Sequence, residues 1–195
     1  MKDLKYIIKP LVLLMITIFF TVHSEGLKMN KILIVIGSEK GSTLEIGNKM
    51  KGILEKKQFK VDCISAPPQT IPLHEYDFIV IGSGIYGGVP HKNIKSFIDS
   101  NRTELNNNKI AVFAVCGMKA SKSQKHKEQA LHYIDSVSYG LKPIIKNVFA
   151  GKIPSYSIAN FIMRLAIGAW PGDYRDWKII ENWTDSLPVL INGKL

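Results

Sequence analysis

The chain has 195 residues, 46% of them hydrophobic and 22% charged, enough for one domain with a sizeable core and an extra segment. Its formal charge is +10, and residues 29–195 alone keep 22 basic against 14 acidic side chains, leaving +8. Two cysteines and five scattered histidines exclude a disulfide framework and a metal site, and no RNA-binding motif, zinc spacing or helix-turn-helix pattern speaks for nucleic acid. The basic excess then points to an anionic membrane surface, an acidic small molecule, or a solvated lysine-rich face.

The N-terminal segment stands apart. Lys2, Lys5 and Lys9 precede the apolar run Leu11–Val22, and Val22-His23-Ser24 sets modest side chains before Glu25. That order is expected of a signal peptide, with an N-terminal membrane anchor as the second reading. A third reading starts the protein at Met29, directly before KILIVIG. Residues 1–28 are accordingly set apart from a folded domain at 29–195, exported or membrane-anchored if the first segment is used, cytoplasmic if it is not.

Lys31–Gly37 is a continuous apolar run, as expected of a parallel strand buried on both faces. Thr43–Gln58 has apolar residues near helical spacing, with Thr43 as a candidate N-cap. Lys60–Ser65 alternates like a short strand, and Pro67, Pro68 and Pro72 mark a loop that leaves room for at most a brief helix. Tyr76–Ser83 is the next buried strand, and Asn93–Asn101 a short helix. Ile110–Val115 is a fourth strand. Gln124–Ser136 is a basic amphipathic helix with Ala130, Leu131 and Ile134 facing inward, and Ile144–Ala150 is a fifth strand. Then comes the apolar segment Ser157–Trp170, read either as a packed helix or as a contact surface, and Lys178–Leu187 is the last helix.

Strands alternating with helices imply βαβ units and a doubly wound, three-layer α/β domain, its five-stranded parallel sheet ordered 2-1-3-4-5. In that order Cys63 and Cys116 lie too far apart to bridge.

Ligands of such sheets bind beyond the carboxyl ends of the strands. Ser38-Glu39-Lys40-Gly41-Ser42-Thr43 sits at one such end and runs into a helix, so its amides and the hydroxyls of Ser38, Ser42 and Thr43 suit a phosphate. Neither the NTP-loop nor the dinucleotide glycine pattern is present, which favours a monophosphate. A second strand end, Ser83-Gly84-Ile85-Tyr86-Gly87-Gly88, offers Tyr86 to stack on a planar ligand. Cys116 and Gly117 sit at a third, with Cys116 read as a small apolar filler rather than a redox thiol. Together these loops point to a flat phosphorylated cofactor, FMN foremost.

The stretches KILIVIGSEKGSTLEIG, YDFIVIGSGIYGGVPHKNIKSFI and IAVFAVCG, with the tail FAGKIPSYSIANFIMRLAIGAWPGDYRDWKIIENW, resemble the flavodoxin-domain proteins. Within them they are similar to the branch of menaquinone-dependent protoporphyrinogen IX dehydrogenase. The resemblance implies non-covalent FMN, with Ser38, Lys40, Gly41, Ser42 and Thr43 at the phosphate. It places Ser83, Gly84, Ile85, Tyr86 and Gly87 along the ring, with Cys116 and Gly117 nearby. It further implies an oxidoreductase, in the enzyme branch oxidising protoporphyrinogen with a quinone acceptor. There the apolar segment and the run Lys119–Lys127 would face an anionic hydrophobic partner. The rival readings are an electron carrier that docks a redox partner protein, and an interaction module without flavin.

Overall fold

The computed structural model of the protein describes residues 30–66, 71–153 and 168–192. The expectations for residues 1–28, for Pro67 and Pro68, and for most of Ser157–Trp170 lie outside the described residues. Strand β1 (Lys31–Gly37) occupies the middle of a parallel sheet, beside β2 (Lys60–Ser65) and β3 (Phe78–Tyr86). β5 (Ile110–Val115) follows β3, and β6 (Ile145–Phe149) closes the far edge. The order β2-β1-β3-β5-β6 is the doubly wound order expected for the five parallel strands. A sixth strand, β4 (Val89–Pro90), pairs antiparallel with the end of β3.

The alternation of side chains along the strands divides the core in two. Leu33, Val35, Ile79, Ile81 and Val112 face helices α2 (Lys92–Asn107) and α3 (Gln124–Val137), meeting Ile94, Phe97, Ala130 and Ile134. Ile32, Ile34, Ile36, Val80 and Phe113 face α1 (Ser42–Lys56) and α4 (Trp177–Asn192), meeting Ile46, Met50, Ile180 and Leu187. Glycines let the layers close. A Cβ on Gly82 would come within 2.2 Å of the Phe113 ring.

Several elements differ in extent from the sequence reading. α1 begins at Ser42, its cap position is Gly41 at φ 83°, and no side chain caps it, so Thr43 lies inside the first turn instead of capping it. α2 runs on to Asn107 through a non-helical Asn101, because Leu105 is buried one turn beyond the kink. Leu131 is exposed, and Val137 takes the inward position on α3. α4 continues through Pro188 to Asn192, since burial of Leu187 and Ile191 outweighs the lost backbone bond. The brief helix after the proline-rich loop is the 3-10 turn Leu73–Glu75.

A small hairpin completes the described chain. β7 (Lys152–Ile153) pairs with β8 (Gly172–Asp173), so the ends of segment 154–171 meet where β6 leaves the sheet. Among the described residues no helix is long and apolar enough to cross a membrane, and no cluster could hold a metal ion.

Candidate functional site

The loop from β1 to α1 and the end of β3 converge at the carboxyl ends of the strands, and between them lies a cleft of about 260 Å³. Lys40, Ser42 and Thr43 form one wall, with Glu39 beside them. Glu45 N–H is the first amide to bond inside the helix, to Gly41 O at 2.9 Å. The amides of Ser42, Thr43 and Leu44 therefore have no helical carbonyl to bond, and the positive end of the α1 dipole lies on this side. Thr43 and Ser42 are both buried, Thr43 almost completely.

Gly84, Ile85, Tyr86 and Gly87 form the opposite wall. The sequence reads GSGIYGG as a loop. In the structure Ser83–Tyr86 stay in β3, and Gly87 and Gly88 turn the chain with φ of 59° and 86°, the two positive values a tight hairpin turn needs. Tyr86 does not reach outward from this turn. Its ring lies back over Gly84, where a Cβ would stand 2.7–2.9 Å from ring atoms, and meets His91 edge to face at 6.1 Å. The Tyr86 hydroxyl accepts a hydrogen bond from Glu39 N–H at 2.8 Å, tying the two walls together.

The third side was not foreseen in full. Val115 ends β5 and Gly117 follows it, and Gly151 with Lys152 and Ile153 of β7 arrives from β6. A Cβ on Gly151 would stand 3.2 Å from Ser42 Oγ, so glycine is what lets this connection come so near the anion loop. The strand-end rule predicts a wall here, but a single Lys-Ile pair carries no motif to mark it.

Four of the residues expected at the cofactor do not line the cleft. Ser38 Oγ accepts from Gly41 N–H at 3.1 Å and shapes the loop from within. Gly41 itself supplies the left-handed residue that starts the helix. Ser83 is fully buried, where its Oγ accepts from His91 N–H and donates to Gly84 O, both at 3.0 Å. Cys116 is buried, and desolvation raises its thiol pKa, partly offset by amides from Met118 and Lys119. That is the environment of an inert filler rather than a reactive thiolate.

Beside the cleft, Arg175 anchors the hairpin. Its side chain is 5% exposed and forms ion pairs with Glu45 of α1 at 2.5 Å and Asp173 of β8 at 2.6 Å. The guanidinium also lies 4.5 Å from the centre of the Trp177 ring. These bonds hold the Asp173 carboxyl below the ordinary carboxylate range and raise the Arg175 pKa.

A switch-point cleft bounded by an amide-rich helix start and an aromatic hairpin defines an α/β ligand-binding fold of the phosphate-anchoring kind. The family model for the flavodoxin domain matches residues 33–169, and the chain belongs to that family. Among solved structures, it is similar to a short-chain flavodoxin associated with a non-canonical PDU bacterial microcompartment. The two are 14% identical over 84% of this chain and 99% of the other, with a TM-score of 0.55. It is also similar to a flavodoxin from Streptococcus pneumonia at 17% identity, over 82% and 99% of the two chains, with a TM-score of 0.49. A flavoprotein solved in complex with FMN, from Lactobacillus acidophilus, is 17% identical over 62% and 93%, with a TM-score of 0.45. No protein with a curated description matches the chain in sequence.

Proposed function

We infer that the protein binds FMN in this cleft and works as a flavodoxin-like redox protein. The observation that carries the reading is the pairing, across one cleft, of the amide- and hydroxyl-rich start of α1 with the glycine-lined Tyr86 hairpin. The donor set suits the group. Ser42, Thr43 and the first-turn amides would hold a phosphate dianion, with Lys40 and Lys152 adding positive charge at the mouth. Gly87 and Gly117 bring side-chain-free backbone to the walls for a flat ring, with Ile85 and Tyr86 beside it. Bound flavin supplies the electron or hydride transfer, while these residues anchor it, orient it and shield it from water.

Titration of the purified full-length protein with FMN and with riboflavin, followed by flavin fluorescence, tests the reading. Saturable FMN binding is expected. Thr43→Ala should weaken it by about 1–3 kcal/mol, the scale of a hydrogen bond to a charged group, with riboflavin affinity nearly unchanged. A protein that binds no flavin overturns the reading, and equal losses for both ligands would move the phosphate away from Thr43.

The family supports FMN chemistry in general, and the identity of the reductant is a further step. Oxidation of protoporphyrinogen with a quinone acceptor draws support from Lys152, which lines the cleft, and from Lys119, Lys122 and Lys125 on the stretch that leads from β5 into α3, basic residues that suit a tetrapyrrole's propionates. Turnover of protoporphyrinogen IX with menadione by the FMN-loaded protein is then expected. Flavin reduction by a partner protein with no such turnover would leave a carrier.

A further inference from the structure

Among the described residues, a cavity larger than the cofactor cleft lies elsewhere. It is a groove of about 550 Å³ between α2 and α3, inside the about 300–1,000 Å³ usual for small-molecule sites. Its floor is apolar: Ile94, Ile98 and Val137 are 0%, 4% and 2% exposed. Its lips are apolar too, with Val89 at 61% exposure and Tyr139 at 78%. Large side chains this exposed on both edges of one groove form a surface that water wets poorly.

One wall carries a charge pattern. Lys92, Lys95, Asp99 and Arg102 recur at helical spacing along α2 and all line the groove. Asp99 is taken up by Arg102, whose guanidinium lies 2.5 Å from it and donates to Tyr139 O at 2.8 Å, closing one end. Neither Lys92 nor Lys95 forms an ion pair among the described residues. The wall therefore keeps two uncompensated cations above a dry floor, and Lys92 opens α2, at its positive end. The opposite end of the groove is β4, whose partner residues Ile85 and Tyr86 line the cofactor cleft.

We propose that this groove is a second ligand site, for an amphipathic anion with an aliphatic body and a carboxylate head. The body lies on Ile94, Ile98 and Val137, and the head pairs with Lys92 and Lys95. The charge pattern separates this occupant from a neutral chain, which would gain nothing from the lysines, and from a cationic amphiphile, which they would repel. The site stands independently of the cofactor reading.

Dodecanoate, dodecanol and dodecylammonium, titrated calorimetrically into the full-length protein below their aggregation limits, test it. One dodecanoate should bind per chain, about tenfold or more tighter than dodecanol, the effect of one good charge-assisted contact. Dodecylammonium should be weakest. The double variant Lys92→Glu/Lys95→Glu should lose about tenfold for dodecanoate and little for dodecanol. Ser136→Trp, at an exposed position lining the groove, should fill it and abolish both. Circular dichroism of the variants controls for folding. Equal affinity for acid and alcohol, binding that survives Ser136→Trp, or no saturable binding overturns the proposal. So does association confined to anionic vesicles or to an acidic peptide.

Discussion

Trp183 shows how one side chain can serve packing at a polar cost. Its ring meets Phe113 and Phe149 at 6.0 and 5.7 Å, filling the space between α4 and the sheet. Its indole N–H is buried with no hydrogen-bond partner among the described residues. An orphaned donor costs about 1–3 kcal/mol, comparable to what loss of part of the ring's buried area would remove. Trp183→Phe should therefore shift the urea midpoint little, by an amount equivalent to less than about 1 kcal/mol, whereas Trp183→Ala should cost about 3–5 kcal/mol. Tyr86 presents the reverse case. Its sequence context shows an aromatic among glycines and does not show that Gly84, two residues earlier, is where the ring comes to rest. Side-chain direction in a strand depends on what the facing loop offers, here the Glu39 amide, and that partner is 47 residues away. The same holds for Ser83, legible as a hydroxyl at a strand end but not as one consumed by its own hairpin.

At the scale of elements, the central strands β1, β3 and β5 were legible because each is an apolar run buried on both faces, the edge strands β2 and β6 show a weaker, mixed pattern, and the order follows from the crossovers. Helix ends were less so. They are fixed by burial of single residues such as Leu105 and Ile191, which follows from tertiary contact rather than local pattern. The close packing of sheet against helix makes one prediction sharp. Gly82→Ala sets a methyl group against Phe113 and Ile36, with neither free to withdraw, and should destabilise by about 1–3 kcal/mol in denaturant unfolding. The hairpin β7–β8 makes another. Arg175→Ala leaves Glu45 and Asp173 without their shared cation and should cost about 1–2 kcal/mol, discounted because both carboxylates are half exposed. The sign of its pH dependence follows from the depressed Asp173 pKa: the stabilisation is present above the unfolded carboxylate value and fades as pH falls through the folded one. Thermal midpoints of wild type and Arg175→Ala should therefore differ near neutral pH and converge in the acid range. A constant gap down to strongly acid pH would assign Arg175 a packing role instead.

Across the whole molecule, the charge is not spread evenly around the cleft. Lys40, Lys92, Lys119, Lys122 and Lys125 sit in loops or first helical turns at the carboxyl ends of the strands, where α1, α2 and α3 also present their positive ends, and Lys152 lies in the short strand β7 that follows β6. Against them stands Glu39. Glu45 and Asp173 share the single cation of Arg175, and Asp176 accepts from Ile179 N–H at the start of α4. Lysines around a concave site focus a positive potential on whatever enters it, and ions screen that field over about 8 Å at physiological salt. Two small oxidants of opposite charge read the field directly once the protein carries reduced flavin. Reoxidation by ferricyanide should be fast at low salt and slow by several-fold, about a factor of 3–10, as ionic strength rises past the point where the screening length falls below the width of the rim. Reoxidation by hexaamminecobalt(III) should accelerate over the same range. Lys119→Glu with Lys122→Glu should flatten both dependences while the flavin stays bound, because neither residue lines the cleft. A matching salt dependence for the two oxidants would place the reacting edge of the flavin away from this basic rim.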